Sequence, residues 1–140
     1  MNTEATRHRE VIERIVAAQN AHDVDAMTAC MAPDYQSEQP VHPDRAFVGS
    51  AQVRKNWSAI FNGIPDFSAR IVRLAVDGDD VWVEFEWTGT TRAGAPFLSR
   101  GPAIFTVRDG KVARGRLYVE PVQDDGGGID AVARRMVGDA

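Results

Sequence analysis

The sequence predicts a single α+β domain, on two observations. Apolar residues recur at helical spacing through the first half, and in the second half they alternate with polar ones between turn signals at "VDGDD", "RAGA" and "RDGK". Helices first and an antiparallel meander second is the order in which helices pack on one face of a sheet. A chain of 140 residues holds one such domain with a full core.

From Glu4 to Asn20, residues Val11, Ile12, Ile15 and Val16 form one helical stripe, with Arg9, Glu10, Glu13 and Arg14 on other faces. Asp23 caps a second, shorter helix carrying Met27, Cys30 and Met31, which Pro33 ends. A short strand follows, from about Tyr35 to Gln39. Ser50 then caps a third helix bearing Val53, Trp57, Ile60, Phe61 and Ile64, closed by Gly63 and Pro65. Four long strands complete the fold, near Phe67–Val76, Val81–Thr90, Phe97–Arg108 and Lys111–Glu120. The domain is expected to span residues 1–122, with 123–140 a flexible hinge at "DDGGG" followed by either a short helix on Ile129, Val132, Ala133 and Met136 or a frayed tail.

Composition narrows the function. A net charge of -4, with the Lys and Arg residues scattered, argues against nucleic acid as a partner. Cys30 is the only cysteine, so no intrachain disulfide forms and a disulfide-stapled secreted scaffold is excluded. The polar start "MNTEATRHRE" and the lack of a long apolar run predict no membrane partner and a cytoplasmic protein.

"NAHDVDAM" followed by "APDYQSEQP", a helix opening at "FVGSAQV", and a closing "FTVRDGKVARGRLYVEP" together resemble the SnoaL-like branch of the nuclear transport factor 2-like superfamily, over roughly residues 8 to 122. The resemblance implies a cone, in which a curved antiparallel sheet of about five strands wraps around three N-terminal helices, with an apolar pocket and usually a homodimer. It does not imply one reaction. Polyketide cyclases, ketosteroid isomerases, epoxide hydrolases, dehydratases and simple binding proteins share the fold. Polyketide cyclases resembling "GPAIFTVRDG" carry an Asp where this chain has Ala103. The oxyanion tyrosine, the base and the second acid of a ketosteroid isomerase match Ile15, Gln39 and Ala103, and the Arg and two Asp of epoxide hydrolases match Phe85, Trp87 and Leu117. The ionisable groups of all three chemistries are replaced.

Strand alternation points Val83, Phe85 and Trp87 to one side, and Gly101, Ala103, Phe105 and Val107 likewise. With Trp57 and Phe61 from the third helix and Leu117 and Val119 from the last strand, these either line an oily pocket or fill the core. The expected pocket residues are Trp57, Phe61, Phe85, Trp87, Ala103, Phe105 and Leu117, and the expected ligand is a small, mostly apolar organic molecule. The opposite parity carries Trp82, Glu84, Arg116 and Tyr118, a set suited to a solvated face or to a homodimer interface.

The stretch "SEQPVHPDRAF" supplies the candidate chemistry. Pro40 and Pro43 stiffen the backbone around His42, a general base near neutral pH, with Glu38 or Tyr35 to assist. Asp44 and Arg45 read as a turn with a solvent-facing ion pair. No spacing assembles metal ligands and no serine sits in a nucleophile turn, so neither a metal nor a cofactor is expected. Three functions remain open: a cofactor-free isomerase, cyclase or lyase, a carrier or sensor without chemistry, and a dimeric assembly module with a filled pocket.

Overall fold

Thr3 opens the first helix, α1 (Glu4–Asn20), by accepting a hydrogen bond from the Thr6 amide at 3.1 Å. The structure is a computed structural model that describes residues 3–138. The apolar stripe of α1 buries Val11, Ile12, Ile15 and Ala18 against the sheet, with Gln19 among them. Both ends of the helix are tied down. His8 Nδ1 lies 3.1 Å from the Gly78 carbonyl, and the Asn20 amide pairs with both backbone groups of Ala69 at 2.7 and 3.0 Å.

Asp23 caps α2 (Val24–Ala29), accepting from the Ala26 amide at 3.0 Å. This helix stops four residues before Pro33, because Cys30 is its C-cap and Met31 already belongs to β1 (Met31–Glu38). Pro33 is tolerated inside β1 because the pairing slips between Met31 and Gln36, so no ladder bond is asked of its missing N–H. A single 3-10 turn (Pro43–Arg45) and the short β2 (Phe47–Val48) lead to α3 (Ser50–Gly63). Gly49, not Ser50, is its N-cap, at a φ of 109° that a side chain rarely adopts.

The meander comprises β3 (Ser68–Asp77), β4 (Asp80–Thr90), β5 (Pro96–Arg108) and β6 (Lys111–Leu117). Asp109 and Gly110 both take positive φ, 51° and 74°, which is the tight hairpin that "RDGK" predicts. The sheet order is β2-β1-β6-β5-β4-β3, and β7 (Glu120–Pro121) pairs with β5 beyond the end of β6. Beyond it lies α4 (Ile129–Met136), whose Ile129 and Met136 are exposed. No described helix is long and apolar enough to cross a membrane.

The cone expected from the resemblance is not formed. The sheet has seven strands rather than about five, it is mixed because β1 runs parallel to β6, and it is neither curled nor closed: β2 and β3 are its edges. After α1 and α2, β1 enters alongside the last long strand and runs parallel to it.

The predicted strand Lys111–Glu120 is broken in two. Ser99 and Arg100 pair with β7, whereas Ala103 pairs with Leu117 in β6. Between them Gly101 sits at φ 147°, and a Cβ there would overlap the Tyr118 carbonyl. The chain crosses at that glycine. Gly101→Ala adds both backbone strain and this overlap, so a loss of roughly 2 to 3 kcal/mol in urea unfolding is expected; a loss below about 0.5 kcal/mol would show that the crossing tolerates a side chain.

Candidate active site and its pocket

One cavity of about 170 Å³ lies between the helices and the inner face of the sheet. Its floor is Phe85 and Trp87 of β4, Phe105 of β5 and Leu117 of β6, all brought inward by strand alternation. Its roof is α3, where Val53, Asn56, Trp57 and Ile60 stand at helical spacing on one side. The two anchors of α1 hold Ile15 and Gln19 against one wall, and Tyr35, Ser37 and Gln39 of the β1 region form the other.

Aromatic packing makes the floor and roof one unit. Trp57 meets Trp87 edge-on, with ring centroids 5.4 Å apart at 86°, and meets Phe67 at 5.3 Å and 81°. Such pairs contribute about 0.5 to 1.5 kcal/mol each beyond area burial. The two indoles touch, leaving no gap between them.

Of the expected pocket residues, Trp57, Phe85, Trp87, Phe105 and Leu117 line the cavity. Phe61 and Ala103 do not. Phe61 stacks on His22 at 4.7 Å, on the side of α3 where His22 Nε2 also reaches the Phe67 carbonyl at 2.8 Å. Ala103 is wholly buried within the core.

The three candidate catalytic residues separate. Tyr35 lines the cavity, 3% exposed, and burial pushes its phenol above the ordinary 10.0, with a smaller opposing effect from the Ser37 hydroxyl. Glu38 follows Gln36 onto the opposite parity of β1, away from Tyr35 and Ser37. His42 is outside the lining and about a third exposed. Its Nε2 lies 2.8 Å from Oε1 of Glu120, a partner the sequence reading did not foresee. The pair is joined to the cavity through the chain: the His42 amide donates to the Gln39 carbonyl at 2.7 Å, and Glu120 follows the lining residue Val119. Arg45 does not pair with Asp44 in the described hydrogen bonds; it donates to Gln39 Oε1 at 3.0 Å.

Two amide oxygens of the lining are engaged. Asn56 Oδ1 accepts from Gln52 at 2.7 Å and Gln39 Oε1 from Arg45 at 3.0 Å. Two buried atoms have no partner among the described residues, Gln19 Oε1 and Trp87 Nε1. Gln19 was missed in the sequence although it lies four residues beyond Ile15 on the buried stripe. Among the described residues, Glu4, His8 and Asp79 bring three ligand atoms within 4.8 Å of one another. Glu4 and Asp79 are exposed and His8 serves the anchor to Gly78, so this group is read as a surface cluster tying α1 to the β3–β4 turn.

Comparison with known proteins follows the same lines. A family model described as a SnoaL-like domain matches residues 12–115. The chain belongs to the SnoaL-like family. No curated protein matches it. Among solved structures, it is similar to a protein described as a SnoaL-like polyketide cyclase from Jannaschia, at 21% identity and TM-score 0.72, covering 99% of this chain and 97% of that one. An LEH-like epoxide hydrolase of M. tuberculosis superposes with TM-score 0.74 at 18% identity over 96% and 98% of the two chains. A protein with a ketosteroid isomerase-like fold from Catenulispora acidiphila, in complex with trimethylamine, gives 0.68 at 14% over 89% and 92%. At these identities the likeness is one of fold.

The Tyr35 phenol supplies a pH test. A folded pKa above the unfolded value means that its contribution to stability is fully present below pH 10 and is lost as pH rises through the folded value. In a titration at 295 nm, the difference between the wild-type protein and Tyr35→Phe should develop only above pH 10. A difference half complete below that would mean the hydroxyl is open to water.

Proposed function

We propose that this SnoaL-like protein binds a small, neutral, mostly apolar organic molecule in the cavity and carries out cofactor-free isomerase-, cyclase- or lyase-type chemistry on it. The lining is the observation that carries this reading: it contains no Asp, Glu, Lys, Arg or His. An unpaired ligand charge buried there would cost several kcal/mol. The open cavity also weighs against a purely structural module. A homodimer through the outer sheet face belongs to the same proposal, supported by Trp82, half exposed beside Leu74 and Pro102. In calorimetry, methyl benzoate should bind at least about tenfold tighter than benzoate, or roughly 1.4 kcal/mol. Equal affinity would mean that a cation such as Arg45 swings inward past Gln39.

The proposed chemistry rests on the His42–Glu120 pair, which takes the role expected for His42 with Glu38. With Nε2–H donated to Glu120, the imidazole presents Nδ1 as a base for a proton next to a ligand carbonyl, and the neutral Tyr35 phenol is suited to donate to the oxygen that gains charge. The second reading, a carrier or sensor, is favoured by the lack of any carboxylate in the lining. Deuterium exchange at the methyl group of acetophenone in D₂O, followed by NMR, separates them. Catalysed exchange that falls roughly 100-fold in His42→Ala, and less in Glu120→Gln, with stability unchanged within about 0.5 kcal/mol, supports the enzyme. Exchange no faster than in buffer leaves the carrier.

A further inference from the structure

The two unpartnered atoms of the cavity specify the ligand more narrowly, on the footing that the cavity binds one. Gln19 is 2% exposed, and its Oε1 and the Trp87 Nε1 are both buried. Buried polar atoms without a partner are rare in folded proteins, and two in one lining call for a common explanation. Among the described residues, no other group of the lining partners either atom. Asn56 and Gln39 already place their side-chain oxygens on Gln52 and Arg45. An indole N–H only donates, and an amide oxygen only accepts. The complementary molecule therefore brings an acceptor to Trp87 and a donor to Gln19.

Size sets the second limit. A cavity of roughly 150 Å³ holds benzene, and this one is about 170 Å³. One ring with short substituents fits within it. A fused multi-ring skeleton does not.

We infer that the ligand is a neutral, single-ring-sized molecule bearing both a hydroxyl and a carbonyl oxygen, the hydroxyl donating to Gln19 Oε1 and the carbonyl accepting from Trp87 Nε1. The aromatic floor of Phe85 and Phe105 holds the ring by its faces and edges, while the two polar contacts fix its orientation. A hydroxyl both donates and accepts, so it matches the Gln19 amide in either rotation.

Calorimetry on the intact chain with six probes tests this: the ortho, meta and para isomers of hydroxyacetophenone, then acetophenone, phenol and ethylbenzene. At least one isomer should bind tenfold or more tighter than both acetophenone and phenol. Gln19→Leu should remove the gain from the hydroxyl and leave acetophenone binding unchanged within about twofold, and Trp87→Phe should remove the gain from the carbonyl and leave phenol binding alike. If either variant fails to fold, the comparison of probes on the wild-type chain still decides. All six probes binding within threefold of one another would overturn this inference and leave the binding function standing. No binding of any probe, ethylbenzene included, at millimolar concentration would overturn the binding function itself.

Discussion

The crossing of the chain over Gly101 is the constraint on which both halves of the site depend. Because no side chain stands at 101, Tyr118 and Val119 pass close over β5, and pairing resumes with Ser99 and Arg100 at β7. Val119 is thereby turned into the cavity and Glu120 is carried toward His42. A straight continuation of β6 would leave Glu120 elsewhere. One glycine thus links the apolar lining to the His42–Glu120 contact beside it, and the loop between Pro40 and Pro43 is held by its own backbone bond from His42 to Gln39.

Charge is divided between the two faces of the sheet. The outer face carries Glu86 between Arg70 and Arg100, at 3.2 and 2.9 Å, and Arg73 against Glu84 at 3.3 Å. These two hydrogen-bonding guanidinium groups, Arg100 foremost, hold the Glu86 carboxyl below the usual range. Being exposed, such pairs contribute little to stability. Their value is directional: alternation that places Glu84 and Glu86 outward places Val83, Phe85 and Trp87 inward, so a slip of one residue would bury two carboxylates. The neutrality of the cavity and the charge of the outer face are therefore a single decision about register.

Local pattern made much of this legible. The stripes of α1 and α3, the Asp-Gly hairpin and the inward set on β4 and β5 all follow from spacings within a few residues. What escaped was long-range. The parallel pairing of β1 with β6 joins segments about eighty residues apart in the chain, and no periodicity reports the direction in which two distant strands meet. The cone was borrowed from the resemblance and failed for that reason. At the site, parity identified the correct faces but not which side chains reach empty space: Ala103 is sealed in the core and Phe61 turns to His22. Glu120 escaped because its partner, His42, comes from a loop that no strand pattern positions.

The parallel entry of β1 also has a consequence for synthesis. Residues 4–38 leave the ribosome before the strands that cover them, and they carry the apolar stripe of α1 with Val11, Ile12 and Ile15, together with an unpaired edge of β1. Their covering, β3 to β6, is made later, and β1 gains its central neighbour only when residues 112–116 have emerged. Folding cannot proceed from the N-terminus in order. The nascent chain must carry an oily helix and an open strand edge until those strands have emerged, which is the condition in which chains associate wrongly or recruit chaperones.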